Sequence, residues 1–372
     1  MKTTNNFSSK IASALLNTKK IFISLFTWVW WFELVANEVF WENNISCAWY
    51  SEIDKYAIKT YEKNFKWNKN LWDVKKIDWK RMAKDLKEKW WLDIIFGWSP
   101  CQSFSTQWLR KGMGCLRWQL IFDYILALKT LQPKAFVFEN VKWLLSIDKW
   151  KTFNMIIKEF EKAWYKIYHR VFDAKDFDTP QHRERLFVVG ARKDIKQEFN
   201  FEENPKKRRI LLDFLEKTWI FNIISNERIR SIYRSNYMND KPQNPLSQCR
   251  CLTKSWTHRW ILIRDWEIIL DIDFIKRFNK KKLSESELDW LEWRYLTINE
   301  IEAIQGFPKD FTSWVSNTQR YGQIWNSLSI NVVRSIIRSL DNLFKSIPPK
   351  RIKGSINKKA TTKARNQVVL AK

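Results

Sequence analysis

Chemistry in this chain starts with a lone cysteine. Cys101 lies in FGWSPCQSFS, residues 96–105, directly after the apolar run LDIIF. A loop at the carboxyl end of a sheet strand is where α/β folds hold their ligands, and a thiolate there is a nucleophile. Against this, most lone cysteines are small buried hydrophobes. A second apolar run, FVFENV, ends in Glu139, either a working carboxylate or a solvated, helix-capping acid. In TPQHRERLFVVG, Gln181, Arg183 and Arg185 are spaced by two. On a strand that spacing puts all three on one face, suited to gripping an anion or forming a plain basic surface.

A fourth constellation begins at SLFTWVWWFELV, residues 24–35, which reads as a strand turning sharply into a helix. An acid, Glu52, ends the next strand. In doubly wound folds a glycine turn lets the backbone approach a nucleoside cofactor, and an acid placed like Glu52 binds ribose hydroxyls. Here the turn holds Trp28, Trp30 and Trp31 instead. The whole chain shows the same exchange, with 24 Trp and only 7 Gly in 372 residues. Glycine is the default where φ is positive or a ligand meets the backbone. Reading each Trp as Gly turns 27–31 into T-G-V-G-G and restores glycine to near its ordinary share of roughly 7%. That points to a gene whose UGA codons mean glycine; the other reading is a protein truly rich in tryptophan.

The charge is the next constraint. Lys and Arg total 66 against 40 Asp and Glu, a net charge of +26, which favours a polyanionic partner such as nucleic acid over a neutral one. No run of 18 apolar residues exists and the first 20 lack a signal-peptide core, so the expected location is cytoplasmic. Five cysteines, an odd number with no CxxC pair, and three scattered histidines argue against a disulfide framework or a metal centre.

The elements that must position these residues alternate in the βα manner. Strands are expected at 20–26, 45–51, 92–96 and 135–138, helices at 31–40, 54–64, 119–131 and 149–163, then strands near 165–173 and 185–191. Such alternation predicts a parallel sheet covered by helices on both faces, an α/β doubly wound, Rossmann-like domain. Residues 1–19 read as a loose arm, 20–192 as the cofactor-binding catalytic domain, and 193–312, with its hairpin-like ILIRDWEIIL, as a smaller irregular domain. Residues 313–346 return to the first domain through a helix at about 328–344. The tail, 347–372, carries eight basic residues and no acid from Lys350 onward and reads as disordered.

Taken in order, the S-P-C-Q loop, E-N-V, Q-x-R-x-R, LTINEIEAIQGFP (296–308) and RYGQIWNSLS (320–329) resemble the cytosine-C5 DNA methyltransferase family over about 20–340. The departures are almost all Trp where that family has Gly. The resemblance implies a methyltransferase fold with a target-recognition domain, S-adenosylmethionine as donor, and double-stranded DNA as substrate. It implies Cys101 as the nucleophile on cytosine C6, Glu139 at N3, and Arg183 and Arg185 as cationic partners in a flipped-base site. Phe26, Trp28, Trp30 and Trp31 would surround the donor's amino-acid end, Glu52 the ribose, Asp73 the adenine edge. Pro100 would back that site and Asn326 with Ser327 would close it. Gln102, Ser105 and Gln181 would face DNA, as would Thr253, Lys254, Thr257, His258 and Arg259 of the small domain. The expected setting is a monomeric modification enzyme, paired with a restriction endonuclease or an orphan. Transfer RNA methylation on the same scaffold, or an inert DNA-binding protein if the indoles are genuine, are the other readings.

Overall fold

The computed structural model describes residues 20–28, 31–40, 45–65, 68–89, 92–98, 118–202, 208–216, 223–224, 226–234, 242–251, 260–264 and 267–347. Its larger unit is a seven-stranded sheet. In chain order the elements are β1 (Lys20–Leu25), α1 (Trp31–Phe40), β2 (Ile45–Ser51), α2 (Lys55–Asn64), β3 (Lys69–Asn70), α3 (Trp79–Lys89) and β4 (Ile94–Trp98). They continue with α4 (Trp118–Leu131), β5 (Ala135–Val141), α5 (Lys151–Lys162), β6 (Tyr165–Asp173) and β7 (Glu184–Arg192). The strands lie in the order β3-β2-β1-β4-β5-β7-β6.

Burial on both faces explains why the central strands read as unbroken apolar runs. Alternate residues of one strand serve opposite cores. Phe22, Ile94, Phe96, Val137 and Val189 pack with Phe32 and Val35 of α1 and Tyr61 of α2. Ile21, Ile23, Ile95, Phe138 and Val188 pack with Met82 of α3, Ile121 and Leu128 of α4 and Phe160 of α5. The fit leaves no slack at Gly190, where a Cβ would come within 2.0 Å of the Phe136 ring.

The expected parallel sheet is corrected at one edge. β7 runs antiparallel to both β5 and β6. A parallel return needs a crossover of a dozen or more residues, usually helical. The link from Asp173 to Glu184 holds only a single 3₁₀ turn, Ala174–Asp176. Two further differences are smaller. The helix α3, rich in lysine and exposed on one side, was not anticipated, and neither was the two-residue β3.

The smaller unit carries β8 (Ile223–Ile224), α6 (Asn226–Arg234), β9 (Trp260–Arg264), β10 (Glu267–Ile268), α7 (Ile272–Asn279), α8 (Glu285–Asp289) and β11 (Glu292–Tyr295). Its sheet runs β10-β9-β11-β8. The hairpin expected from ILIRDWEIIL is present as the antiparallel pair β9 and β10. Packing, however, moves the expected boundaries at 193 and 312. Ile195 and Phe199 on one side, and Phe307 and Phe311 on the other, all belong to the large core.

The chain returns through α9 (Ile298–Gln305), α10 (Asn317–Asn326) and α11 (Ile330–Ser346). A capping box of Thr297 and Glu300 starts α9, and Gly306, at φ 84°, ends it. The amphipathic α11 presents Val333, Ile336, Ile337 and Leu340 to the large core. Among the described residues no helix is long and apolar enough to cross a membrane.

One buried ion pair joins β11 to the helix that follows it. Arg294 on β11 donates to both oxygens of Glu300 on α9, at 2.8 and 2.7 Å, with neither side chain exposed. Removing one partner of such a pair leaves an uncompensated charge in the interior. Arg294→Ala is therefore expected to lower stability by about 3–5 kcal/mol in urea titrations, whereas a cost under about 1 kcal/mol would show the pair to be dispensable.

Candidate active site

The site gathers at the carboxyl ends of β4 and β5. These strands are parallel neighbours, and the register sets Trp98 beside Glu139. The chain therefore leaves β4 next to the Glu139 carboxylate. Pro100, Cys101, Gln102 and Ser105, which follow within seven residues of Trp98, lie outside the described residues.

Glu139 is 4% exposed. Burial pushes its carboxyl up to about 7, with Arg185 and Arg183 pulling the other way. Arg185 Nε lies 3.3 Å from Glu139 Oε1. A buried acid poised near neutrality can donate a proton or a hydrogen bond as well as accept one.

The structure corrects the roles of the other two residues in the period-two set. Arg183 is 3% exposed and its guanidinium is committed to protein partners. Its Nη2 donates to the carbonyls of Trp325 and Ser327 at 2.7 and 2.8 Å, and its Nη1 contacts Cys251 Sγ at 3.2 Å. It thus ties the α10–α11 link and the 242–251 segment to β7. Burial, then Arg185, pulls this guanidinium down to about 10. In this geometry the Arg183 guanidinium is occupied by protein partners. Gln181 is fully buried, bridges by its backbone to Cys249, and leaves both amide atoms unpartnered. It offers no exposed surface as folded, and the single strand face expected for 181, 183 and 185 does not form, since β7 begins only at Glu184.

The second half of the site surrounds the turn after β1. Phe26 holds φ 57°, and the Thr27 N–H donates to the Ser51 carbonyl at 3.2 Å, tying this turn to the end of β2. Glu52 follows β2; its Oε1 accepts from the Ile53 and Asp54 N–H groups at 2.8 and 2.9 Å. Burial raises its pKa, while those backbone bonds oppose the rise. Asp73 caps a short turn by accepting from Lys75 N–H at 3.0 Å. Ser327 is buried, and Asn326 ends α10. Trp30 falls outside the described residues, and Trp31 opens α1. Thr253, Lys254, Thr257, His258 and Arg259 also fall outside them.

Two acids were missed. Glu33, 1% exposed on α1, lines the cavity behind the turn, and burial raises it to about 7 against hydrogen bonds from its backbone, Ser24 and Tyr61. The available signal was an acid set within the apolar stripe Phe32, Val35, Ala36. Asp123 on α4 keeps one carboxylate oxygen buried without a partner, and Asp73 adds to the upward push on its pKa.

That cavity also tests the cofactor. It is lined by Ser24, Leu25, Phe26, Thr27, Phe32, Glu33, Gly97 and Trp98, and its volume is about 10 Å³. Trp98, which lines it, meets the Trp28 ring edge to face, ring centres 6.4 Å apart. Ligand clefts run to roughly 300–1,000 Å³. Glu52 suits a ribose, but with both indoles in place the turn does not fit S-adenosylmethionine.

A helix-flanked sheet of this order, with one antiparallel strand and acids at the strand ends, defines an α/β methyltransferase. Solved structures agree on the fold. An Entamoeba histolytica methyltransferase, EhMeth, superposes with TM-score 0.65 at 20% identity, covering 87% of this chain and 99% of that one. A putative DNA modification methyltransferase encoded in an E. coli prophage gives 0.65 at 19%, covering 88% and 100%. The chain belongs to the C-5 cytosine-specific DNA methylase family, whose pattern matches residues 22–342. Its relatives include the type II methyltransferase M.BsuFI of Bacillus subtilis, 31% identical over 337 residues, covering 90% of this chain and 75% of that protein. M.SsoII of Shigella sonnei is 32% identical over 307 residues, covering 80% and 74%.

Both raised glutamates carry a stability consequence. An acid whose folded pKa exceeds its unfolded value stabilises the fold below the unfolded pKa, and loses that contribution as pH rises through the folded one. Glu33→Gln and Glu139→Gln should therefore flatten the decline in stability between about 4.5 and 7. Parallel pH profiles of wild type and variants would contradict this. Arg185→Met removes the stronger opposing cation, so the Glu139 titration, followed by carboxyl infrared absorption, should move above 7; a downward move would contradict the pairing.

Proposed function

We propose that this protein methylates C5 of cytosine in a specific duplex DNA sequence, as the modification partner of a restriction endonuclease or as an orphan enzyme. The observation that carries the reading is Glu139, buried, near neutrality in pKa, paired with Arg185 and in register with the strand end that leads to Cys101. Family membership and the names of the relatives support it, since M.BsuFI and M.SsoII are type II methyltransferases. The net charge of +26 suits a polyanion held through its phosphates. We further assign it to the cytoplasm as a monomer, and take S-adenosylmethionine as the donor class.

The chemistry asked of this chain's residues follows from cytosine itself. C5 is a poor nucleophile and lies inside the base stack, so the base must leave the helix. The Cys101 thiolate adds to C6, forming a carbon–sulfur bond and pushing the electron pair of the C5–C6 double bond into the ring. Glu139, protonated, hydrogen-bonds N3 and takes up the charge that develops there. Arg185 holds that carboxyl in place. After C5 has been methylated, loss of its proton lets the C6–sulfur bond break and releases the thiolate. Arg183 contributes by fixing the Trp325 and Ser327 backbone against β7.

Cys101→Ser should abolish methyl incorporation into duplex DNA, and Glu139→Gln should slow it by roughly 10²–10⁴-fold while DNA binding persists. Wild-type incorporation by either variant would remove that residue from the mechanism. Incorporation into transfer RNA and not into duplex DNA would favour the RNA reading.

A further inference from the structure

The cofactor turn and three distant loops share a feature that methyl transfer does not explain. Trp98 lines a cavity of about 10 Å³, enough for roughly one water, and the Trp28 ring meets it edge to face. Both of their indole N–H groups are buried without a partner. A buried indole ordinarily finds an acceptor, so these rings are poorly accommodated as well as obstructive.

Elsewhere the backbone makes the same point independently. Among the described residues, Trp72, Trp150 and Trp164 hold φ values of 60°, 71° and 77°. Bulky side chains avoid this left-handed region, and such strain persists only where surrounding packing enforces it. Here the three indoles are 59%, 50% and 49% exposed, and Trp150 has an edge-to-face contact with Phe153, so packing enforces these conformations only in part. Trp164 follows the C-terminus of α5, and its N–H bonds the Glu161 carbonyl at 3.1 Å. Gly306 ends α9 in the same manner, at φ 84° with its N–H on the Ala303 carbonyl at 2.9 Å. One helix is closed by glycine and the other by a solvent-exposed indole in a glycine conformation. Trp260 and Trp293, by contrast, are buried in the small core with their rings face to edge, although the Trp293 indole N–H is also without a partner.

We propose that positions 28, 72, 98, 150 and 164 are glycine in the protein its own cell makes, read from UGA codons. Glycine relieves the strain at 72, 150 and 164, and at 28 and 98 it removes the rings that fill the nucleoside pocket. The pocket half rests on the proposed methyltransferase function; the backbone half does not.

The test is tryptic peptide mass spectrometry on the protein isolated from its native source. Cleavage after Lys69 and Lys75 yields residues 70–75, cleavage after Lys162 and Lys166 yields 163–166, and cleavage after Lys89 and Arg110 yields 90–110. Glycine masses at 72, 164 and 98 are expected, and an indole at any of the three overturns the proposal. As a second measurement, Trp150→Gly with Trp164→Gly should raise the Tm of the recombinant chain by about 1–4 °C; an unchanged or lower Tm contradicts the strain. Calorimetry with S-adenosylhomocysteine on Trp28→Gly with Trp98→Gly reads the cofactor assignment separately. Glycine masses without binding would leave the decoding intact and sink the donor class.

Discussion

Glu139 has been taken out of water at the end of a central strand, and two arginines from the neighbouring strand make that position tolerable. Burial raises the carboxyl to about 7 against the downward pull of Arg185, 3.3 Å away, and Arg183. The antiparallel setting of β7 makes this possible, because it lays Arg185 opposite Val141 and Phe187 opposite Glu139. Arg183, two residues along, turns its guanidinium to carbonyls of the α10–α11 link. The segment entering β7 therefore both sets a cation beside the acid and fastens the returning C-terminal segment. A charge network of this kind contributes little net stability, so its position is better understood as a requirement of the site.

The large unit was legible because its strands are buried on both faces. Runs such as KIFISL and AFVFENV have no period for sequence to misread, and helices bounded by signals such as Asp54, which caps α2 through the Tyr56 and Ala57 N–H groups, fall where expected. The direction of β7 was not legible, since β-strand patterning carries no information on which neighbour a strand will pair with. The helix α3 escaped notice because its apolar positions, Trp79, Met82 and Leu86, are diluted among lysines. In the candidate site, residue types and strand-end placement pointed to Glu139, Glu52 and Arg185, which lie at or beside the ends of β5, β2 and the start of β7. They could not reveal that Arg183 and Gln181 are covered, because that depends on where the small unit and the C-terminal link settle.

The tryptophans bear on both fold and chemistry. A strand-to-helix turn that brings backbone to a ligand leaves no room for side chains, and here two indoles occupy that room. The same residue type recurs at left-handed positions where the indoles are about half exposed. Composition, backbone geometry and the closed pocket thus converge on glycine from separate physical grounds.

The measurement that tests the account most directly compares two recombinant chains, one with tryptophan and one with glycine at positions 28, 72, 98, 150 and 164. Each is incubated with duplex DNA and S-adenosylmethionine labelled in its methyl group, and the modified base is identified after hydrolysis of the DNA. The account predicts 5-methylcytosine from the glycine chain alone. Label at another base, or equal label from the tryptophan chain, would contradict it.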